Sequence, residues 1–454
     1  MFLVPFADRS MLTIQGQSHR FCDNLSRRGF LRIGALGMGA GALSLADLLR
    51  AEAQSQSPHR HKAVIHIFLG GGPPHQDMWE IKTEAPKEIR GEFKPIATNV
   101  PGIEICEVFP RIAAMMDRCA VIRSVVGAVD RHEPYQCHSG WTRDSLSSLG
   151  GRPSVGAALA RLQGPVDRSV PPFVGLANAG VWKDPGQPGY LGPAYSPFRP
   201  DGPGMENMKL NGVTLERFND RKQLRASFDA FVRVVDARGQ TGAVDSYTEK
   251  AFDVLTSSRL LTALDLSNED PKVRERYGDG KPFNFQYDGA PTINEHLLMA
   301  RRLVQAGVRC VTLTYGRWDS HGANFDLVRD HGSKLDQGFS ALVEDLQRLD
   351  MLDDVTVIAW GEFGRTPRIN NGAGRDHWPQ VSCALLAGGG MRTGQAIGST
   401  NRLGEHAQNR PVHVQEVVAT LYHNLGLDTT STTIQDPTGR PQYLVEHPPI
   451  RELI

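Results

Sequence analysis

The 454-residue chain is predicted to be an α/β protein with a mostly parallel central sheet flanked by helices. Three observations carry this. Short β-branched runs alternate with helical patterns. The runs are apolar throughout, as in strands buried on both faces. Polar residues gather directly behind them, where open α/β sheets bind ligands. The first run, 63–69 (AVIHIFL), opens into the loop GGGPPHQD. An amphipathic helix near 108–116 precedes the second, 119–126 (CAVIRSVV). A helix containing LLMARRLVQAG, with Gly307 as C-cap, leads into 308–314 (VRCVTLT). The long helical pattern 324–349 leads into 355–360 (VTVIAW), and 381–386 supplies a fifth strand. An apolar stripe over 413–425, behind Pro411, is the last helix. From 151 to 290 the alternation lapses. Pro and Gly crowd 164–203, and 215–261 reads as polar helix. This stretch is expected to be an insertion or cap within a single domain, 54–454.

Residues 1–53 stand apart. The stretch NLSRRGFLRIGALGMGAGALSLADLLRAEAQ holds Arg27 and Arg28, followed by Phe30 and Leu31. A weakly apolar run comes next, diluted by glycine and too short to span a bilayer, which takes roughly twenty apolar residues. Ala51-Glu52-Ala53 then offers the small-x-small pattern of a cleavage site. That order is a leader with a twin-arginine signal peptide. The twin-arginine translocase is the expected partner during export, and the mature protein is expected in the periplasm or outside the cell.

Composition excludes several classes. Lys plus Arg and Asp plus Glu are both 50, so no global charge recruits nucleic acid or an acidic membrane surface. Beyond the signal no run of eighteen apolar residues exists, so no transmembrane anchor is expected in the mature protein. Five cysteines lie beyond the cleavage site, Cys106, Cys119, Cys137, Cys310 and Cys383, with no CxxC. Export makes a disulfide possible, but spacing does not pair them. No dinucleotide fingerprint points to an oxidoreductase, and Gly70-Gly71-Gly72 lacks the GxxxxGK[ST] of a phosphate loop.

The residues immediately behind each strand carry the chemistry. His75 and Asp77 stand behind the first, and TYGRWDSHGANF, with Asp319 and His321, behind the third. WGEFGRTPRINNGAGRDHW, with Glu362, Arg365, Arg375, Asp376 and His377, stands behind the fourth. Each taken singly reads as a turn, cap or ion-pair residue. Jointly, carboxylates and imidazoles from three strand ends meet at one sheet edge. Oxygen and nitrogen donors of this kind suit zinc, manganese, calcium or magnesium. Arg365 and Arg375 are candidates for bidentate binding of an anion. A divalent ion with arginines is what a sulfate or phosphate ester requires.

GGGPPHQDMW, PKEIRGEFKPIATNVPGIEICEVFPRIA, WDSHGANF, GEFGRTPRIN, AGRDHW and LLAGGG occur in that order. They resemble the exported bacterial proteins of the domain-of-unknown-function 1501 family, related in fold to sulfatases and alkaline phosphatases. The resemblance runs over about 62–427. It implies an alkaline phosphatase/sulfatase-like fold and a two-sided metal site. Asp77, Asp319, His321, Glu362 and His377 are the matching metal ligands. It also implies a nucleophile, and here the chain departs from sulfatases. RHEPYQCHSGWTR, 131–143, lacks Cys-x-Pro-x-Arg. Attack by Ser139, or by a metal-bound water, remains chemically possible. The expected function is therefore metal-dependent hydrolysis of a small-molecule or polysaccharide sulfate or phosphate ester. The alternative is a non-catalytic relative that binds a carbohydrate or partner protein.

Overall fold

The computed structural model describes residues 61–176, 184–200, 258–279 and 291–454. The expected signal peptide with Arg27 and Arg28, and most of the expected insertion, lie outside the described residues.

The sheet forms where the apolar runs predict it. Its strands are β1 (Ala63–Phe68), β2 (Cys119–Val126), β3 (Phe173–Leu176), β4 (Cys310–Thr314), β5 (Val355–Trp360), β6 (Ser382–Gly388), β7 (Gln395–Ile397) and β8 (Val412–His413). The order is β7-β2-β6-β5-β1-β4-β3, with β8 pairing β2. Only β6 runs against its neighbours β5 and β2; the other pairings are parallel. Register levels the strand ends. Phe68 pairs with both Thr314 and Trp360, so the loops behind β1, β4 and β5 open at one height. Because β6 is antiparallel, Ser382 at its start lies opposite Val125 near the end of β2. Residues just before β6 therefore arrive at the edge where β1, β2, β4 and β5 finish.

Alternate residues of β1 face two apolar layers, which is why the run is apolar at every position but His66. Ile65 and Ile67 join a cluster with Leu297 and Leu303 of α5 (Asn294–Ala306) and Phe339 and Leu342 of α6 (Ser333–Arg348). Val64 and Phe68 join Leu159 of α4 (Val155–Leu162) and Val417 and Leu421 of α7 (Val414–Asn424). Full burial of each such side chain contributes about 1.5–3 kcal/mol. Helix α1 is His75–Met78, α2 is Pro110–Ala114 and α3 is Tyr135–Ser139. Asp336 of α6 caps α2, accepting from the backbone N–H groups of Arg111 and Ile112 at 3.1 and 2.8 Å. Gly307 closes α5 in the left-handed region (φ 113°), as its position predicts. The long helical pattern 324–349 is interrupted: a π-helical turn, Val328–Gly332, separates Asn324–Leu327 from α6.

One element differs from expectation. The α/β body extends into the stretch read as an insertion, because α4 and the edge strand β3 belong to it. The β3 run is only four residues long, and Pro171-Pro172 ahead of it reads as loop. Pro172 nonetheless serves the sheet, its carbonyl accepting from Arg309 N and Cys310 N at 3.0 Å each. Among the described residues no helix is long and apolar enough to cross a membrane. The five cysteines among the described residues are buried and free.

Candidate metal centre

Four loops converge at the levelled strand ends. The loop after β1 is Gly70–Gly72, and its glycines allow backbone to meet backbone. Gly71 has φ +105°, and a Cβ there would lie 2.4 Å from Asp319 N. Its N–H donates to Glu362 Oε1 at 2.8 Å, and Trp318 N donates to Gly70 O at 2.7 Å. The run therefore positions the loops after β4 and β5 and does not cradle a phosphate. The loop after β4 is fastened to the loop after β5. Arg375 N donates to Ser320 O at 2.8 Å, and Ala323 N to Gly372 O at 3.0 Å. The latter loop folds back as a two-stranded pair in which Arg365 lies opposite His377. The loop after β2 brings in His132.

These loops bring together His132, Asp319, His321 and His377, whose ligand atoms all lie within 4.8 Å of one another. The Nε2 atoms of His132, His321 and His377 stand 3.4, 3.1 and 3.6 Å from Asp319 Oδ1. The two Nε2 atoms of His321 and His377 are 3.1 Å apart. Each ring is held from behind by its own carboxylate. His132 Nδ1 pairs with Glu362 Oε1 at 2.9 Å, His321 Nδ1 with Asp376 Oδ1 at 2.8 Å, and His377 Nδ1 with Asp130 Oδ1 at 2.7 Å. A carboxylate only accepts, so each Nδ1 carries the proton and a neutral ring turns its Nε2 lone pair inward. Three such lone pairs facing one carboxylate oxygen form a cage of acceptors that calls for a cation. Outer carboxylates behind imidazoles are the arrangement that orients metal ligands.

The electrostatics agree. Burial opposes a charge on Asp319, but His132 and Arg365 outweigh it and hold the carboxyl well below the usual carboxylate range. Arg365 donates to its Oδ1 at 2.5 Å and Arg317 to its Oδ2 at 3.1 Å. For His132 burial acts downward, yet hydrogen bonds to Asp319 and Glu362 raise it to about 9. Without an ion His132 thus holds a second proton, on Nε2 toward Asp319, in the place a bound cation would take. His377 is lowered, first by burial, with Arg365 and His132 adding to the effect against Asp130. The buried ring of Phe363 walls one side, its centroid 5.1 Å from that of His132 and 4.6 Å from that of His377.

Of the residues singled out in the sequence, Asp319, His321 and His377 meet in the cage. Glu362 stands directly behind it. Asp77 lies elsewhere, fully buried, with Oδ2 and Oδ1 taking Nε and Nη2 of Arg375 at 2.6 and 2.9 Å and Asn324 Nδ2 at 2.8 Å from Oδ2. Arg375 spends its remaining donors on the carbonyls of Thr366, Pro367 and Ile89. Arg365 is also fully buried, donating to the carbonyls of Gly71, Gly72 and Arg375 besides Asp319. Both guanidinium groups, expected to face an anion, are thus committed to protein acceptors. Ser139 is buried in α3, its hydroxyl donating to Tyr135 O at 2.8 Å. His132, Asp130 and the anchoring role of Asp376 were not anticipated. The signal for His132 was present, since it too stands behind a strand of the sheet.

Comparison with known proteins identifies the family. The family model "Protein of unknown function (DUF1501)" matches residues 61–454. The chain belongs to the DUF1501 family. No curated protein matches it. Solved structures similar to this DUF1501 chain include three of low identity. "Ps i-CgsB in complex with k-i-k-neocarrahexaose" is 11% identical, with TM-score 0.36, over 81% of this chain and 73% of that one. The PsFucS1 sulfatase from Pseudoalteromonas sp. is 10% identical, with TM-score 0.35, over 85% and 72%. The phosphonate monoester hydrolase SpPMH from Silicibacter pomeroyi is 10% identical, with TM-score 0.35, over 82% and 74%.

Proposed function

We propose that the protein is an exported, metal-dependent hydrolase of sulfate or phosphate esters, acting on a small-molecule or polysaccharide substrate. The observation that carries the reading is the acceptor cage of three imidazole Nε2 atoms and Asp319, each imidazole anchored by a carboxylate. The donor set fits a divalent ion, which when bound supplies Lewis acidity toward an ester oxygen or water. The protein's own groups do the remaining work. Glu362, Asp376 and Asp130 hold the Nδ1 protons and fix the direction of each ring. Phe363 excludes water from one flank. Arg131, next to His132 in the chain and 53% exposed, is the arginine that provides positive charge for the anionic group of the ester. Among the described residues its only ion-pair partner is the exposed Asp144 at 3.5 Å. The test is anion release from an aryl sulfate and an aryl phosphate by the metal-loaded protein, alongside His321→Ala and His377→Ala. Turnover by the parent and loss in both variants supports the reading. No turnover of either ester with zinc, manganese, calcium or magnesium sinks it.

A second reading, a non-catalytic binder of a carbohydrate or partner protein, is favoured by the commitment of the Ser139 hydroxyl within its own helix. It predicts binding that survives His321→Ala.

Export rests on Arg27 and Arg28 and places the mature protein in the periplasm or outside the cell. Folding before export suits a site assembled from four distant loops, since the ion is then loaded inside the cell. Replacing both arginines with lysine should leave an unprocessed cytoplasmic precursor. Normal export of that variant would overturn the assignment.

A further inference from the structure

We infer, building on that reading of the site, that the centre takes a single ion of the zinc class per chain, and that Glu362 is its dominant positioning residue. Ion class follows from the donors. Three borderline imidazole nitrogens dominate the donor set, with one hard carboxylate oxygen, a mixture that suits zinc, which can add a fifth ligand for substrate or water. Magnesium and calcium require six or more ligands, nearly all oxygen, and three imidazoles do not meet that demand.

Stoichiometry follows from the one acid outside the cage that was expected to bind an ion, since the only oxygen of Glu362 left without a partner, Oε2, belongs to a residue already anchoring His132. Asp77, the other carboxylate expected as a ligand, has both oxygens on the buried Arg375 guanidinium at 2.6 and 2.9 Å, with Asn324 adding a third donor. A second divalent ion on Asp77 would sit against a fixed positive charge that has no route to solvent. Asp319 also pairs with Arg365, but its Oδ1 faces three imidazole Nε2 atoms as well, and among the described residues no imidazole faces Asp77. Glu362 is used as an anchor, one oxygen receiving both Gly71 N and His132 Nδ1. The fold thus supplies one cage: Asp77 is taken up by Arg375, and Glu362, Asp376 and Asp130 stand behind the imidazoles.

The three anchors are not equivalent. The Glu362 side chain is 2% exposed, whereas those of Asp376 and Asp130 are 54% and 58% exposed. Water screens the two rim carboxylates and can replace them behind their rings. It does neither for Glu362, which the Gly71 N–H also fixes in place. Loss of Glu362 therefore costs His132 its direction, while loss of either rim acid lets water take over the Nδ1 proton.

The experiment is calorimetric titration of the chelator-stripped full protein with Zn2+, Mn2+, Mg2+ and Ca2+, plus the absorption spectrum of the Co2+ form. One Zn2+ per chain, far weaker Mg2+ and Ca2+, and an intense tetrahedral Co2+ spectrum support the inference. Glu362→Gln should weaken Zn2+ by about 10–100-fold, the range for outer-shell anchors. Asp130→Asn and Asp376→Asn should each weaken it by less than about tenfold, below that range. Two ions per chain, preference for Ca2+ or Mg2+, or equal losses in the three variants would overturn it. If Glu362→Gln does not fold, Glu362→Asp keeps the charge and withdraws the anchor by one methylene; unchanged Zn2+ affinity there counts against the inference. Tight binding of one Zn2+ without ester turnover supports this inference and sinks the hydrolase. Turnover with two ions or with Mg2+ does the reverse.

Discussion

Substituting His138 with phenylalanine should flatten the loss of stability on acidification. His138 is buried in α3, its ring set edge-on 4.6 Å from His66, and neither ring nitrogen has a hydrogen-bond partner. Burial lowers it from 6.5 to about 4, against an opposing pull from Asp184. The folded protein thus binds this proton less readily than the unfolded chain. Stability from a neutral His138 is complete above pH 6.5 and drains away as pH falls toward 4. Integrating the linkage relation from pH 7 to pH 5 gives a loss of about 2 kcal/mol from this group. His75, lowered by burial to about 3, loses a similar amount over the same interval, about 2 kcal/mol. The assay is equilibrium urea unfolding of the parent and His138→Phe at pH 7 and pH 5, both stripped of metal. The parent should lose more than the variant by about 2 kcal/mol, the His138 share. Equal losses in the two proteins would refute the reasoning.

Other predictions concern the buried pair, the unused hydroxyl and the glycine loop. Asp77→Asn leaves the Arg375 guanidinium buried without its counter-charge, and unfolding should become easier by about 3–5 kcal/mol. Asp77→Asn with Arg375→Met should cost less than the sum of the single changes, measured by the same denaturation. Ser139→Ala should leave ester turnover within about twofold while lowering stability by about 1 kcal/mol; a collapse of kcat would restore Ser139 as nucleophile. Gly71→Ala places a Cβ 2.4 Å from Asp319 N at a positive φ, so it should destabilise by more than about 1 kcal/mol and weaken metal binding in calorimetry.

The sheet was legible because its strands are buried on both faces, and five apolar runs correspond to β1, β2, β4, β5 and β6. β3 was not: four residues behind a proline pair carry too little pattern, and only pairing to β4 identifies them as strand. The π turn before α6 was equally hidden, since helical periodicity survives one wide turn. At the site, Asp319, His321 and His377 are legible as polar residues placed directly behind buried strands. His132 obeys the same rule behind β2, but RHEPYQCHSGWTR draws attention to Cys137 and Ser139 as nucleophiles. The partnership of Asp77 with Arg375 spans 298 positions. Nothing local reports it, and both residue types suit a catalytic role as well as a buried ion pair. Residue types behind strands disclose that a polar site exists, while the division between ligand, anchor and counter-charge is set by distances.

The central claim is that His132, His321, His377 and Asp319 hold a metal ion. Anomalous diffraction from crystals of the zinc-loaded protein, recorded on both sides of the zinc absorption edge, tests it most directly. One peak should lie within about 2.0–2.2 Å of the three Nε2 atoms and an Asp319 oxygen. A peak seated on Asp77, or no peak among these four side chains, would contradict it.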